Sequence, residues 1–310
     1  MAQRRSKAER NSSLKKYIVA DRYEGMLLED YLKAVMEVSS RQRQKLFFSK
    51  GVYVNGVAAH TKRSLKAGDM VAIRQFKDSS YGVEAQEGEV QVLYEDNDLI
   101  VLNKPAGMLV HPAGQTKNGT LANYLAGYFK AKGKVVTIRA IHRLDRDTTG
   151  CVLFAKNGAA QTKLEQMLSA GQLHRSYLAV ICGQGKELEA LYPAGVIDLP
   201  IGKDPFRSNR RMVSQQGQRA VTHFQVLGSG SEHSLLALQL ETGRTHQIRV
   251  HLSHAGFPVL GDRMYGRASS LLARQALHGI RLAFSHPMSG EELTVEAPVP
   301  TDWPKLQEEG

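Results

Sequence analysis

The chain of 310 residues has only two cysteines, Cys151 in TGCVLFA and Cys182 in AVICGQ. Each lies in a β-branched, apolar run, so both read as small core residues, and neither a disulfide framework nor a cysteine-rich metal site is expected. No run approaches the roughly 20 apolar residues that a membrane span needs. The N-terminal MAQRRSKAERNSS lacks the apolar stretch of a secretion signal, which makes the cytoplasm the expected location. No fixed-period repeat, heptad or apolar surface stripe occurs, so a monomer is expected. Negative charge is scarce at one end: residues 1–76 carry 7 Asp and Glu against 16 Lys and Arg, while residues 77–310 carry 23 against 25. A basic excess of that kind favours a polyanionic partner, because each phosphate contact releases counterions.

Apolar residues make up 42% and charged residues 23%, the balance of a globular protein able to form a core. The length suits one large domain plus a smaller one. Residues 1–20 are polar and basic without periodicity, which predicts a mobile arm. From Met26 to Met36 the apolar residues Leu27, Leu28, Tyr31, Leu32, Val35 and Met36 recur at helical spacing. A second helix is predicted from a hydroxyl cap at Ser39 or Ser40 to Gly51, with Arg41, Arg43, Lys45 and Lys50 on a basic face. VYVNG then alternates into an Asn-Gly turn, and KAGDMVAI supplies another turn and strand. These elements place a small α+β domain at 21–76. Residues 77–88 read as a polar linker. In residues 89–310, short β-branched runs (VQVLY, DLIVLN, VVTI, CVLFA, YLAVICG, VTHFQVL, SLLALQLE) alternate with helical stretches (TLANYLAGYF, AAQTKLEQMLSA). That pattern predicts an α+β domain with a large mixed, mainly antiparallel sheet flanked by helices.

Within it, VTIRAIHRLDRDTTGCVLFAKN packs His142, Arg143, Asp145, Arg146 and Asp147 between two apolar runs. Charges held between buried elements must be matched by opposite charges or backbone donors. Asp147 has an ordinary occupation, organising the turn before Thr and Gly. Asp145 does not.

This stretch resembles the H-R-L-D-x-x-T-S-G signature of the RluA-type pseudouridine synthases, reading H-R-L-D-R-D-T-T-G. Thr149 stands where Ser is usual and keeps the hydroxyl. Further segments match in the family's order: EDNDLIVLNKPAGMLVHP (95–112), RSYLAVICG (175–183, with Arg175 for the common Lys), ETGRTHQIRVHLSHAGFPVLGDRMYG (241–266) and LHGIRLAFSHPMSGE (277–291). In GQRAVT, Gln218 replaces the usual Lys. SSRQRQKLFFSKGVYVNG followed by LKAGDMVAI resembles an RNA-binding domain of the ribosomal-protein-S-four type.

The resemblance implies isomerisation of uridine to pseudouridine in structured RNA, ribosomal in preference to transfer RNA, with no cofactor. The reaction needs a carboxylate that attacks the anomeric carbon or takes a sugar proton. By the resemblance Asp145 is that carboxylate, Arg244 pairs with it, Tyr177 stacks on the target base, and Arg41, Arg43 and Lys45 face RNA. Arg143, two residues from Asp145 on an extended segment, is expected to occupy the gap left by a flipped uridine. His246, His251 and His254 invite a metal reading, but no carboxylate joins them at ligand spacing, so they are read as phosphate-contacting or core residues. Two other functions compete. One is a non-catalytic RNA-binding protein. The other is a glycoside hydrolase, which would need a second carboxylate such as Glu241.

Overall fold

A computed structural model describes residues 13–36, 38, 40–75 and 78–304, apart from the side chains of Ser13, Arg41 and Gln75. The chain divides into two compact units, Met1–Ser79 and Ser80–Gly310.

In the first unit, β1 (Ser13–Ile18) is followed by α1 (Leu28–Ala34), α2 (Ser40–Phe48), β2 (Val52–Val54), β3 (Val57–Ala58) and β4 (Met70–Gln75). The strands form an antiparallel sheet in the order β1-β4-β2-β3. Val19, Leu28, Leu32, Leu46, Val52, Leu65 and Val71 make its core. Its two turns are locked together. Asn55, in the left-handed region at φ 52°, starts the Asn-Gly turn, and its amide accepts from Met70 N–H (2.8 Å) and donates to Asp69 (2.7 Å). Asp69 in turn accepts from Lys66 N–H. The mobile arm expected over residues 1–20 is corrected by β1; residues 1–12 lie outside the description. The reason is physical: β1 buries little side-chain surface, so its pattern was silent, and its stability comes from ladder hydrogen bonds to a strand more than fifty residues away.

The second unit runs β5 (Gln91–Glu95), β6 (Leu99–Lys104), α3 (Leu121–Ala131), β7 (Arg139–Ala140), β8 (Thr149–Ala155), α4 (Gly158–Ser169), β9 (His174–Cys182), α5 (Gly185–Leu191), β10 (Val196–Asp198), β11 (Ile201–Lys203), β12 (Arg211–Val213), β13 (Val221–Ser229), β14 (His233–Leu240), α6 (Gln247–His254), β15 (Leu277–Ser285) and β16 (Glu292–Glu296). Among the described residues, ten strands form one sheet, ordered β10-β13-β14-β9-β15-β8-β6-β5, with β16 beside β15 and β7 beside β8. All its pairings are antiparallel except β8 with β15. This is the mixed, mainly antiparallel α+β architecture that the alternation of short runs predicted.

β8 is buried along its whole length because both faces are covered. Val152 and Phe154, with Ile100 and Leu102 of β6, meet Leu121, Leu125 and Phe129 of α3. The alternate residues Cys151 and Leu153, with Leu99 and Val101, meet Ala160 and Leu164 of α4. Each such aliphatic or aromatic side chain contributes about 1.5–3 kcal/mol on burial. α3 starts at a capping box in which the Thr120 and Asn123 side chains each accept the other's backbone N–H.

The linker expected at 77–88 is also corrected, for residues 80–88. These residues strap down α3: Gln86 N–H donates to Asn123 O, Asn123 Nδ2 to Glu84 O, and Ile138 N–H to Tyr81 O. Ile138 is thus held by the strap, and β7, which pairs with β8, is two residues long. Where the strap crosses α3, only glycine fits, since a Cβ on Gly127 would lie 1.9 Å from Gln86 O. Gly to Ala inside a helix ordinarily stabilises by about 1 kcal/mol. Here the close backbone approach reverses the sign, and Gly127→Ala is expected to destabilise the protein by about 1–3 kcal/mol, read as a lowered thermal midpoint.

Candidate active site

Asp145 sits on the segment between β7 and β8, and the chain fastens that segment from both ends. Upstream, the ring of His142, buried and held neutral by desolvation that lowers its pKa to about 3, accepts Leu153 N–H at Nε2. Downstream, Thr148 Oγ1 accepts from Gln275 Nε2 at 2.7 Å, and Thr149 Oγ1 meets His278 Nδ1 at 2.8 Å, so the hydroxyl retained at Thr149 has a use. Gly150, at φ 113°, lets β8 touch β15, because a Cβ there would fall 2.2 Å from Gly279 O.

Between these anchors lies Lys104, fully buried at the end of β6. Its Nζ donates to the carbonyls of Pro105 (2.7 Å), Met108 (2.8 Å) and Arg146 (2.8 Å), while Met108 N–H donates to Arg146 O. The ammonium thus joins the NKPAGM turn to the Asp145 segment. Burial lowers its pKa to about 7 against the pull of Asp147 and Asp145.

The Asp145 carboxylate is partly exposed, and its Oδ2 accepts from Arg249 Nη1 at 2.8 Å. This corrects the expected partner, Arg244. Arg244 lies in the turn before α6; its backbone N–H is held by Gln247 Oε1 and its Nε donates to Arg219 O at 2.9 Å, which turns the guanidinium elsewhere. Arg249 is the third residue of α6, inside a stretch from Gln247 to Leu252 that is buried throughout. Its remaining nitrogens grip Asp262, Nε to Oδ2 at 2.6 Å and Nη2 to Oδ1 at 2.9 Å. Asp262 also accepts from the Met264 and Tyr265 N–H groups. Burial opposes the Arg249 charge, but the two carboxylates outweigh it and hold its pKa above the usual range; Asp262 is held low in return. The sequence carries no local signal for this choice: Q-I-R-V-H-L alternates polar and apolar residues, and only the folded helix buries all six.

Tyr177, in the middle of β9, is buried beside this group. A Cβ on Gly279 would stand 3.6 Å from both its ring and Leu144, the neighbour of Asp145. Burial, with the nearby Asp145 charge, raises the pKa of the phenol, which stays protonated. Arg143 is exposed, and its charge joins burial in lowering the pKa of His111. Of the three expected catalytic residues the structure brings together Asp145 and Tyr177, with Arg249 in the place expected for Arg244.

His246, expected to contact phosphate or to lie in the core, has its Nε2 4.0 Å from Asp145 Oδ1. His251 is a core residue, bonded to Thr222 Oγ1 and Leu199 O. Glu241 is engaged by Arg219 and His223. Asp96, Asp98 and His286 cluster closely enough for a metal ion. However, Asp96 is already committed to Tyr94, His286 and the Asp98 and Leu99 N–H groups, as a turn-organising carboxylate is. In the first unit, Arg43 is half-buried and donates to Val38 O and Ser40 Oγ, which ties it to the α1–α2 turn. Lys45 is exposed on α2, and the side chain of Arg41 lies outside the description.

Two outcomes follow from this geometry. Arg249→Ala leaves the buried Asp262 unpaired and is expected to cost about 3–5 kcal/mol in denaturant unfolding, whereas Arg244→Ala stays within about 0.5 kcal/mol. The Lys104 ammonium is disfavoured in the folded state, so the unfolded chain binds more protons above pH 7. The stability of the wild type relative to Lys104→Met is therefore expected to rise with pH from about 7 towards 10, by up to about 1.4 kcal/mol per unit.

A family model described as RNA pseudouridylate synthase matches residues 98–254. A Bacillus subtilis protein named an uncharacterized RNA pseudouridine synthase, YhcT, is 38% identical over 93% of this chain and 95% of that protein. Ribosomal large subunit pseudouridine synthase D of Xanthomonas campestris is 36% identical over 96% of this chain and 92% of that protein. Among solved structures, human RNA pseudouridylate synthase domain containing 4 aligns with a TM-score of 0.53 at 28% identity, covering 68% of this chain and 89% of that one. The matched segment contains Asp145, Tyr177 and Arg249, and the chain belongs to the RNA pseudouridylate synthase family, whose members isomerise uridine in RNA.

Proposed function

We propose that this enzyme modifies uridines in large-subunit ribosomal RNA, with Asp145 as the catalytic carboxylate. The observation that carries the assignment of Asp145 is its asymmetry: Arg249 holds Oδ2, while Oδ1 faces His246 across a gap and accepts no hydrogen bond among the described residues. Pairing with a guanidinium aims the carboxylate, and the free oxygen is the one able to reach the anomeric carbon or a sugar proton. The ring of Tyr177 lies where a detached uracil needs a flat apolar support, and base stacking contributes about 1–3 kcal/mol. Being protonated, its hydroxyl can donate to the base rather than remove a proton from it. Arg143, exposed on the same extended segment, is suited to fill the stack that a flipped uridine vacates.

The ribosomal substrate is supported by the names of relatives similar over most of this chain, and by the basic excess of the first unit. There Arg41 and Lys45 on α2 are the proposed RNA contacts. Incubating the wild type and Asp145→Asn with ribosomal and transfer RNA transcripts tritiated at uracil carbon 5 tests both parts. The wild type is expected to release label from large-subunit RNA and Asp145→Asn to release none. Release from transfer RNA alone would overturn the ribosomal assignment, and full activity of Asp145→Asn would overturn the catalytic one.

A further inference from the structure

His246 occupies a backbone conformation that few non-glycine residues adopt. It caps α6 at φ 60° and ψ 21°, in the left-handed region, without using its side chain as a cap. Among the described residues, Lys50 and Asn55 are the other non-glycines at positive φ, and Asn55 belongs to a tight turn. Such strain, on the order of 1–3 kcal/mol, persists where surrounding structure imposes it, and it gathers at working sites.

The hydrogen bonds around the ring define what the strain achieves. Arg211 N–H donates to Tyr265 Oη at 2.8 Å, and Tyr265 Oη lies 2.9 Å from His246 Nδ1. Among the described residues Nδ1 is the one acceptor that the phenol reaches, so the phenol proton is assigned to it. Nδ1 then accepts, and the imidazole carries its proton on Nε2. Tyr265 is itself held between the guanidinium groups of Arg210 and Arg249, centred 5.0 Å and 5.1 Å from its ring. Burial, together with the Arg249 and Arg211 charges, lowers the His246 pKa against the pull of Asp145 and Asp262, so the ring is neutral at physiological pH.

The Nε2–H therefore faces Asp145 Oδ1 across 4.0 Å, too far for a direct hydrogen bond. An oxygen placed about 2.8 Å from both atoms would subtend roughly 90° between them, an angle that suits a hydroxyl donating to one and accepting from the other. We propose that this gap holds the 2′-hydroxyl of the target nucleotide, donating to Asp145 Oδ1 and accepting from His246 Nε2–H. The 2′-hydroxyl is borne by the carbon next to the anomeric carbon, so seating it here brings the reacting centre to Oδ1. His246 becomes a substrate-touching residue that recognises ribose as opposed to deoxyribose at the modified position. The inference rests on Asp145 being the catalytic carboxylate.

The test compares two RNAs that differ at one atom, carrying tritiated uridine or tritiated 2′-deoxyuridine at a position first mapped with the wild type. Discrimination is read as kcat/KM, or as a competitive inhibition constant where turnover is too slow. His246→Gly suits the left-handed backbone, so it removes the imidazole while relieving strain, and His246→Gln restores an N–H donor. Thermal melts check that both fold. His246→Gly is expected to lower the preference for the ribo substrate at least tenfold by slowing that substrate alone, with part of the preference regained in His246→Gln. An equal loss on both RNAs, or unchanged discrimination, overturns the proposal. Asp145→Asn, run in parallel, separates this from a failure of the catalytic assignment: retained turnover there sinks the reading of Asp145 itself.

Discussion

A guanidinium buried between two carboxylates organises the candidate active site. Taking Arg249, Asp262 and part of Asp145 out of water costs several kcal/mol per ion, and the offset comes from geometry. Three charge-assisted hydrogen bonds leave Arg249, and two backbone N–H groups complete Asp262. Because Asp262 is anchored by the turn that contains Tyr265, and Arg249 by the buried face of α6, Asp145 is aimed by two elements far from it in sequence. The same turn supplies the phenol that orients His246. One ionic arrangement therefore fixes the carboxylate, leaves one of its oxygens open and brings the neighbouring imidazole into place.

The carboxylate also has to be presented. The segment that bears it leaves the middle of a sheet covered on both faces, and it is tied to β15 and to the end of β6 rather than left as a free loop. The close approach of Gly150 to Gly279 makes this possible, since any side chain at 150 would wedge β8 from β15. Catalytic groups on a frame of this kind hold their geometry through packing, and the charged residues exposed beside them remain available to a polyanion.

Much of this was legible in the chain itself. The short β-branched runs predicted the sheet, and the charged cluster between apolar runs located Asp145 and its neighbours. Local features such as the Asn-Gly turn and the amphipathic α3 and α4 also read directly, because their determinants lie within a few residues. What did not read were partnerships made at a distance. β1 has a weak side-chain pattern and depends on β4; the strap over α3 looked like a linker because its polar residues spend their backbone groups on a helix some forty residues away. The choice between Arg244 and Arg249 had the same character. Both arginines lie in the matched segment, but only the helix register turns Arg249 inward, and its partner Asp262 comes later in the chain.

Lys104 has a further meaning as an ion-binding arrangement. Three carbonyl oxygens converging on one positive centre form the coordination shell that a dissolved monovalent cation would otherwise find in a folded loop, but here the cation is covalently attached to β6. A tethered cation does not exchange with buffer; its charge is lost only with its proton, which burial makes easier to remove than from a free lysine. The segment that bears Asp145 is thereby joined to β6 without a bound ion that a chelator could remove, while a grip on a phosphate backbone weakens with salt. Substrate capture and active-site integrity thus answer to different solution conditions, even though both are built from positive charge.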